Sequence, residues 1–460
     1  LWYKRGNITG YEYLLGAVTD IGGDPAVLSI DETLFWHTGG SNYRFYTSAV
    51  YRDPSAWMHI VFSFDTSTAG GRAVADMMRI YVNGVLVTDK GSTTNPIVDY
   101  DGVINNDELH TIGRSATAAS SYCTGTIAEV HFIDGTALTP TSFGESGDYG
   151  EWKPIEVTGL TYGTNGYYLD FADAAALGND VSGNNNDWTA NSLAATDQML
   201  DSPTNNFATI NPLTKEPYTA YTHTNTLTEG NLKSDSPVDW SGRLGTFSVN
   251  SGKWYWECRP EFVDANRGIN FGIVRDDAEP DEQLICRING GIEYAGDGVL
   301  KVDNSNTDTY ALWPLEDNTI MAAALDLDSA TNTIKFYKNN SLQGTVDLTA
   351  NFTGTGVVPV FSAWQLYWNV NFGQDSSFAG LETAQGNADE NGYGDFYYTP
   401  PSGYVALCTD NLDTPAVTPS EHFNTILYDD GDGAKTGVGF QPDLVWLKSR
   451  GSTYEHEWTD

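Results

Sequence analysis

The stretch MMRIYVNGVLV, residues 77–87, decides the fold class. At its centre Asn83-Gly84 is a strong hairpin signal, because a type I′ turn needs positive φ at both central residues and Asn and Gly tolerate it. Counting outward by twos puts Ile80, Val82, Val85 and Val87 on one face, expected to be core, and Arg79, Tyr81, Leu86 and Thr88 on the other. A changed copy, NTIKFYKNNSL, occupies residues 332–342, and each copy follows a strand ending in aspartate, FSFDT in one case and ALDLDS in the other. The same kind of sheet is built twice.

The flanking segments keep the two-residue period. In AWMHIVFSFD, Ile60, Phe62 and Phe64 point one way and His59, Val61 and Ser63 the other, which makes His59 a strand-face residue rather than a ligand. ELHTIGRSA and CTGTIAEVHFIDGTAL add two strands, the second closed by an Asp134-Gly135 turn. Further on, GKWYWECRPEF places Trp254, Trp256 and Cys258 on one face. SAWQLYWNVNFGQ places Trp364, Trp368, Val370 and Phe372 on a core face, leaving Tyr367 on the other. No segment carries helical periodicity. Apolar residues make up 40% of the 460, aromatics 13%, and there are 47 glycines, a balance that fits short strands and tight turns.

Against 23 Lys and Arg stand 61 Asp and Glu, a formal charge of −38 that repels phosphate and excludes nucleic acid as a partner. Such acidity serves solubility in salt or, in a sharper reading, binds divalent cations. No apolar run is long enough to insert in a bilayer. Four separated cysteines make neither a zinc site nor a small disulfide scaffold and read as mostly buried thiols. The chain opens on LWYKRGNITG, without an initiating Met, and is expected to be a piece of something longer, so the lack of a signal peptide says nothing.

The order W-x-H-I-V-F-S-F-D, RIYVNGVLV, HTIGRS, GTIAEVHFIDGTAL over residues 1–150 resembles a laminin-G-like domain of the concanavalin A-like jelly-roll class. Residues 151–215 read as an Asn- and Gly-rich connector with short strands. From 216 to 378 the KWYWE opening, the FGI strand, the ALDLD-IKFYKN hairpin and the closing VNFGQ resemble a SPRY domain. Residues 379–417, with Pro400-Pro401, read as a linker, and 418–460 as the start of a third β module, either truncated or docking on a neighbour. The expected fold is therefore all-β: two tandem jelly-roll-type sandwiches, each with its own core, and a partial C-terminal module. The whole order, with connectors DVSGNNNDWT, SPTNNFATINPL and TPPSGYVALCT, resembles bacteriophage tail-fibre or virion-appendage proteins, especially of marine phages.

For chemistry, glycosidases of the concanavalin-like class need two carboxylates flanking the scissile bond. Glu129 and Asp134 fall on opposite faces of their strand and lack a middle carboxylate, and Glu279 to Glu282 reads as a solvated loop. GxSxG and HExxH are absent. The DDGDG at 429–433 reads as a turn. No enzyme is expected. Asp180 and Asn184 of the DVSGN cluster are candidate calcium ligands, although a hydrogen-bonded turn is the commoner use of such a cluster; no other cofactor is expected. Candidate ligand-binding residues are Trp36, His37 and Tyr43 around a Gly-rich tip, Tyr294, Asp297 and Trp313 near the SPRY loops, and Tyr367, since sugars stack on aromatics while carboxylates and amides take their hydroxyls. The resemblance implies a virion surface protein that binds host-surface glycan or protein, as a homo-oligomer and most simply a trimer. A structural decoration or connector contacting other virion proteins is the second reading, and a depolymerase the third.

Overall fold

The computed structural model describes the chain apart from residues 9, 19–24, 40–42, 119, 215–225, 236–239, 262–267, 279–289, 297, 303–304, 310–318, 350–351, 353–354, 429–432 and 450. Among the described residues the only helical turns are short 3-10 segments, and none could cross a membrane. The fold is all-β, with two sandwiches in tandem.

In the first, a five-stranded sheet runs Thr126–Ala128, Trp2–Lys4, Trp57–Phe64, Met78–Val82, Val85–Leu86. It faces a six-stranded sheet of Leu109–Ile112, Glu12–Val18, Ala26–Ile30, Leu34–Thr38, Arg44–Thr47 and Lys90–Thr94. Tyr3, Leu14, Ile30, Trp36, Phe45, Ile60, Met78 and Ile80 fill the space between. In the second sandwich one sheet is built on Lys253–Glu261, flanked by Met321–Asp326 and Tyr367–Asn371, with Thr333–Lys338 and Ser341–Asp347 beyond. The other contains Ser241–Leu244, Val357–Trp364, Gly268–Arg275, Gly291–Ala295, Val299–Val302 and Ser305–Thr309. Its separate core includes Trp254, Trp256, Cys258, Phe271, Phe336, Phe361, Trp368 and Phe372. Cys258 and Cys408 are buried free thiols and Cys123 a half-buried one, while Cys286 lies outside the described residues.

Both hairpins turn as their asparagines imply: φ is 46° and 79° at Asn83-Gly84, and 46° and 63° at Asn339-Asn340. Each first asparagine also does a second job. Asn83 N donates to His59 O at 2.9 Å while its Oδ1 accepts from His59 N at 2.8 Å. Asn339 N donates to Ile320 O at 2.8 Å and its Oδ1 accepts from Ile320 N at 2.9 Å. In both sandwiches the turn thus clips the hairpin to the strand before it. Gly84 is needed twice over, since a Cβ there would also come within 2.6 Å of the Trp152 ring. The preceding aspartates, Asp65 and Asp326, each accept the backbone N–H and hydroxyl of a following serine, Ser67 or Ser329, and so start the loop into the hairpin.

Alternation misassigns three positions. Val85 is 69% exposed, on a two-residue strand at the edge of its sheet; Ile80 is buried, and Val82 and Val87 are half-buried against the core. Trp364 is not core either. Gln365, with φ 53°, turns the chain so that Leu366 enters the core while Trp364 stacks on Trp240 outside the sheet, at 6.4 Å. At Glu129, φ is 52° and one expected strand becomes two, Thr126–Ala128 and Val130–Phe132, which pair in different sheets, so face counting across it fails.

Each sandwich carries a third layer. Outside the first, Trp2, His59 and Trp152 stack, with ring centroids 4.6 Å apart for Trp2 and His59 and 6.1 Å for His59 and Trp152. Burial pushes the His59 pKa down to about 2, and Trp152 Nε1 donates to its Nδ1 at 3.0 Å, which fixes the proton of the neutral ring on Nε2. Outside the second, residues 376–408, read from the sequence largely as linker, lie as a strap: Phe396, Tyr404, Ala406 and Cys408 pack with Phe207 on Tyr255, Ala322 and Ala324. Val405–Ala406 pairs parallel to Trp254 and Tyr255, where the neighbouring strand has ended.

If the asparagine clip holds each hairpin in place, Asn339→Ala should lower stability by about 1–3 kcal/mol, from a strained left-handed alanine and an orphaned Ile320 N–H, with Asn339→Asp much milder because it keeps the acceptor. Chemical denaturation of the two variants checks this; equal losses in both would remove the side-chain bond from the explanation.

Candidate functional site

The strand Lys253–Glu261 sends Trp254, Trp256 and Cys258 inward and Tyr255, Glu257, Arg259 and Glu261 outward. Along that outer row the surroundings change from dry to wet. Tyr255 lies under the aromatic part of the strap. Glu257 is fully buried and accepts from Tyr398 N at 2.8 Å and Tyr255 OH at 3.1 Å on one oxygen, and from Tyr397 N at 2.9 Å and Asn371 Nδ2 at 3.2 Å on the other. Burial pushes its pKa up to about 7 even though all four donors favour the anion. Next, Arg259 Nε pairs with Glu382 of the strap at 2.7 Å.

Where the strap ends the row opens to solvent. Glu261 Oε1 takes Lys233 Nζ and Asn369 Nδ2, both at 2.7 Å. Tyr367 stands opposite Glu261 in the ladder, half-buried, with Lys233 Nζ 5.8 Å from its ring centre. A half-buried ring, carboxylate and ammonium thus share one surface, with the buried Asn369 amide orienting the carboxylate from beneath, which is equipment for stacking on a sugar and hydrogen-bonding its hydroxyls. Tyr367 was accessible to alternation counting. Lys233, Arg259, Glu261, Asn369 and Glu382 were not singled out, although the alternation of KWYWECRPE already puts Arg259 and Glu261 on the outer face.

The other sequence candidates do not join this surface. Trp36 is a core residue against Phe62 and Phe64, and Tyr294 is fully buried, because both side chains point between the sheets. His37 Nδ1 lies 3.3 Å from Pro25 O, and Tyr43 packs edge-on against Tyr100 at 4.9 Å, so the expected platform with Trp36 is not assembled. Asp297, Trp313, Glu279 to Glu282 and most of the DDGDG run lie outside the described residues. Asp180 accepts from Tyr168 N, Ser182 N, Ser182 Oγ and Asn186 N at 2.8–2.9 Å, the pattern of a hydrogen-bonded turn. Asn184 turns its Nδ2 to the carbonyls of Gly163 and Gly166. A calcium ion there would have to displace donors, and no group of metal ligands is assembled among the described residues. Glu129 accepts from Tyr168 OH and faces His131 Nε2 at 3.7 Å, whereas Asp134 holds Asn105 Nδ2, Thr164 N and Asn165 N. A shallow cavity of about 300 Å³ beside Leu177, Asp187, Trp188 and Leu193 contains none of the sequence candidates.

These two sandwiches are a laminin-G-like domain of the concanavalin A-like class followed by a SPRY domain. The family model of the concanavalin A-like lectin/glucanases superfamily matches residues 1–142, that of the SPRY domain residues 253–375, and that of a domain of unknown function, DUF7483, residues 418–460. Among solved structures, the chain is similar to the SPRY domain of human HERC1, with 15% identity over 30% of this chain and 87% of that one and a TM-score of 0.25. A human SPRY domain gives 13% identity over 30% and 89% at a TM-score of 0.24, and the TRIM65 PSpry domain 12% over 36% and 88% at 0.27. No curated protein matches the chain.

Glu257 makes the strap sensitive to pH. Its folded pKa, about 7, stands above the usual carboxylate value of 4.5, so the folded form binds the extra proton between those limits and gains stability as pH falls from 8 to 5. The shift corresponds to something on the order of 3 kcal/mol at most. Thermal melting at pH 8 and pH 5 should therefore show wild type gaining on Glu257→Gln as pH falls; parallel pH profiles for the two proteins would contradict this.

Proposed function

We propose that this chain is a non-enzymatic recognition protein on a virion surface, of the bacteriophage tail-fibre or appendage kind, which binds a glycan or protein of the host surface. The observation that carries the reading is the half-open row of Tyr367, Lys233 and Glu261 at the edge of the strap, with Asn369 buried behind it and holding Glu261. Its residue types suit an uncharged polyhydroxy ligand better than a phosphate, which the overall charge of −38 would repel. A lectin-type domain beside a SPRY domain is consistent with recognition, and the order of modules and connectors supports the phage assignment.

A shallow sugar site is weak, and a millimolar constant is worth only about 4 kcal/mol, so adhesion calls for several copies, most simply a trimer. A second reading, attachment to other virion subunits, draws on residues 417–458, where Phe423, Leu427, Tyr454, Trp446 and Trp458 are exposed. Trp446 and Trp458 stack at 4.8 Å across a two-stranded ladder.

Tyr367→Ala should weaken each site about tenfold, the effect of losing roughly 1.4 kcal/mol, reduce adsorption of the purified multimer to host cells by more than that because the losses compound across copies, and leave thermal melting nearly unchanged. Unchanged adsorption would move the ligand elsewhere. Loss of adsorption on removing residues 418–460 with Tyr367 intact would favour the attachment reading.

A further inference from the structure

Lys4 is fully buried, yet its side chain ends on three oxygens of a different module. Its Nζ donates to Asp201 Oδ2 at 2.7 Å, Asn206 Oδ1 at 2.7 Å and Phe207 O at 2.6 Å. Every group around it is fixed. Asp201 Oδ1 accepts from Trp57 Nε1 at 3.0 Å and from Phe207 N at 3.1 Å, leaving only Oδ2 for the lysine. The Asn206 carboxamide is oriented by Nδ2 donating to Ser55 O at 2.7 Å, and its backbone N–H donates to Thr409 Oγ1 at 2.9 Å.

We propose that Lys4 and Asn206 form an autocatalytic isopeptide crosslink, with Asp201 moving the protons. A buried amine and a buried carboxylate meet a half-buried carboxamide here, and each supplies one requirement of acyl transfer. Removal from water destabilises the ammonium, and burial draws the lysine pKa below its ordinary value, though Asp201 opposes that shift. Proton transfer from Nζ to Asp201 Oδ2 leaves a neutral amine and a carboxylic acid. The Nζ lone pair then bonds to Asn206 Cγ as the carbonyl electron pair moves onto Oδ1. Asp201 protonates Nδ2, the Cγ–Nδ2 bond breaks with its electron pair leaving on ammonia, and Cγ=Oδ1 re-forms. The second proton lost by Nζ leaves on the ammonia. The ammonium of Lys4 plus the carboxamide of Asn206 thus becomes one secondary amide plus one ammonium ion, with no oxidant or cofactor. Fixed geometry takes the place of an external catalyst, since groups held in contact react as though present at very high concentration.

The bond would tie the strand Trp2–Lys4 of the first sandwich to the connector that enters the second, joining residues 202 positions apart whatever ligand the chain binds. Intact-mass measurement of purified folded protein, followed by peptide mapping, tests it. Wild type should weigh one ammonia less than its sequence, about 17 Da, with a branched peptide joining Lys4 to Asn206. Asn206→Asp should instead lose one water, about 18 Da, by the same attack. Lys4→Arg, Asn206→Ala and Asp201→Ala should keep full mass. Full mass in wild type after prolonged incubation, or a loss mapped to a cyclised asparagine rather than to Lys4, overturns the proposal. Should a variant fail to fold, the wild-type branched peptide decides alone.

Discussion

A buried ammonium must be met by oxygens, and Lys4, as the chain folds and before any crosslink forms, sets the arrangement of the two sandwiches by demanding three of them. All three belong to the DSPTNNF segment of the connector, residues 201–207, which therefore cannot leave the first sandwich without exposing or orphaning the charge. The segment also reaches the second sandwich: Phe207 packs in the strap cluster, Phe207 bridges to Cys408, and Ala208 N donates to Leu407 O at 2.9 Å. From the other side, Asn231 Nδ2 donates to the carbonyls of Arg5 and Gly6 at 3.1 and 3.2 Å. Removing one partner of such a buried pair typically costs 3–5 kcal/mol, so the junction is held as firmly as many cores.

The two sandwiches solve the same problem twice. A two-sheet sandwich leaves the backs of its sheets to be dealt with, and here each back is partly covered by chain that follows the sandwich. In the first, Trp152 lies over His59 and the Asn83-Gly84 turn; in the second, the strap lies over Tyr255 and Glu257. The cover ends short of Tyr367 and Glu261, and this boundary between dry and wet face is what creates the candidate binding surface. Glu257 sits just inside it, buried under the strap, which is why its carboxyl carries a strongly shifted pKa.

Local rules were legible in the sequence. Asn-Gly and Asn-Asn turns, the alternation of KWYWECRPE and the Asp-started loops all act over a few residues, and the structure follows them. What alternation could not show was where a strand stops being covered. Val85 obeys the parity and is exposed, Trp36 obeys it and is core, and neither outcome follows from period alone. Glu129 and Gln365 break the parity through left-handed backbone at residues that carry no turn signature. The connectors hid most. Their Asn, Asp and Gly content reads as loop, which is locally right for Asp180, but the anchors that fold them onto the sheets, Asp201, Phe207, Glu257 and Phe396, find partners that are distant in sequence. The candidate site was legible only at Tyr367, since its neighbours gather from three strands.

The central claim is that the connector fixes the two sandwiches as one body through Lys4. The most direct measurement is the distance distribution between spin labels attached bioorthogonally at two exposed positions, Leu109 on the first sandwich and Leu342 on the second. The account predicts one narrow distance in wild type that broadens when Asn206 and Asp201 are both replaced by Ala, with each sandwich still folded. A broad distribution in wild type, or a narrow one unaffected by the double replacement, would contradict it.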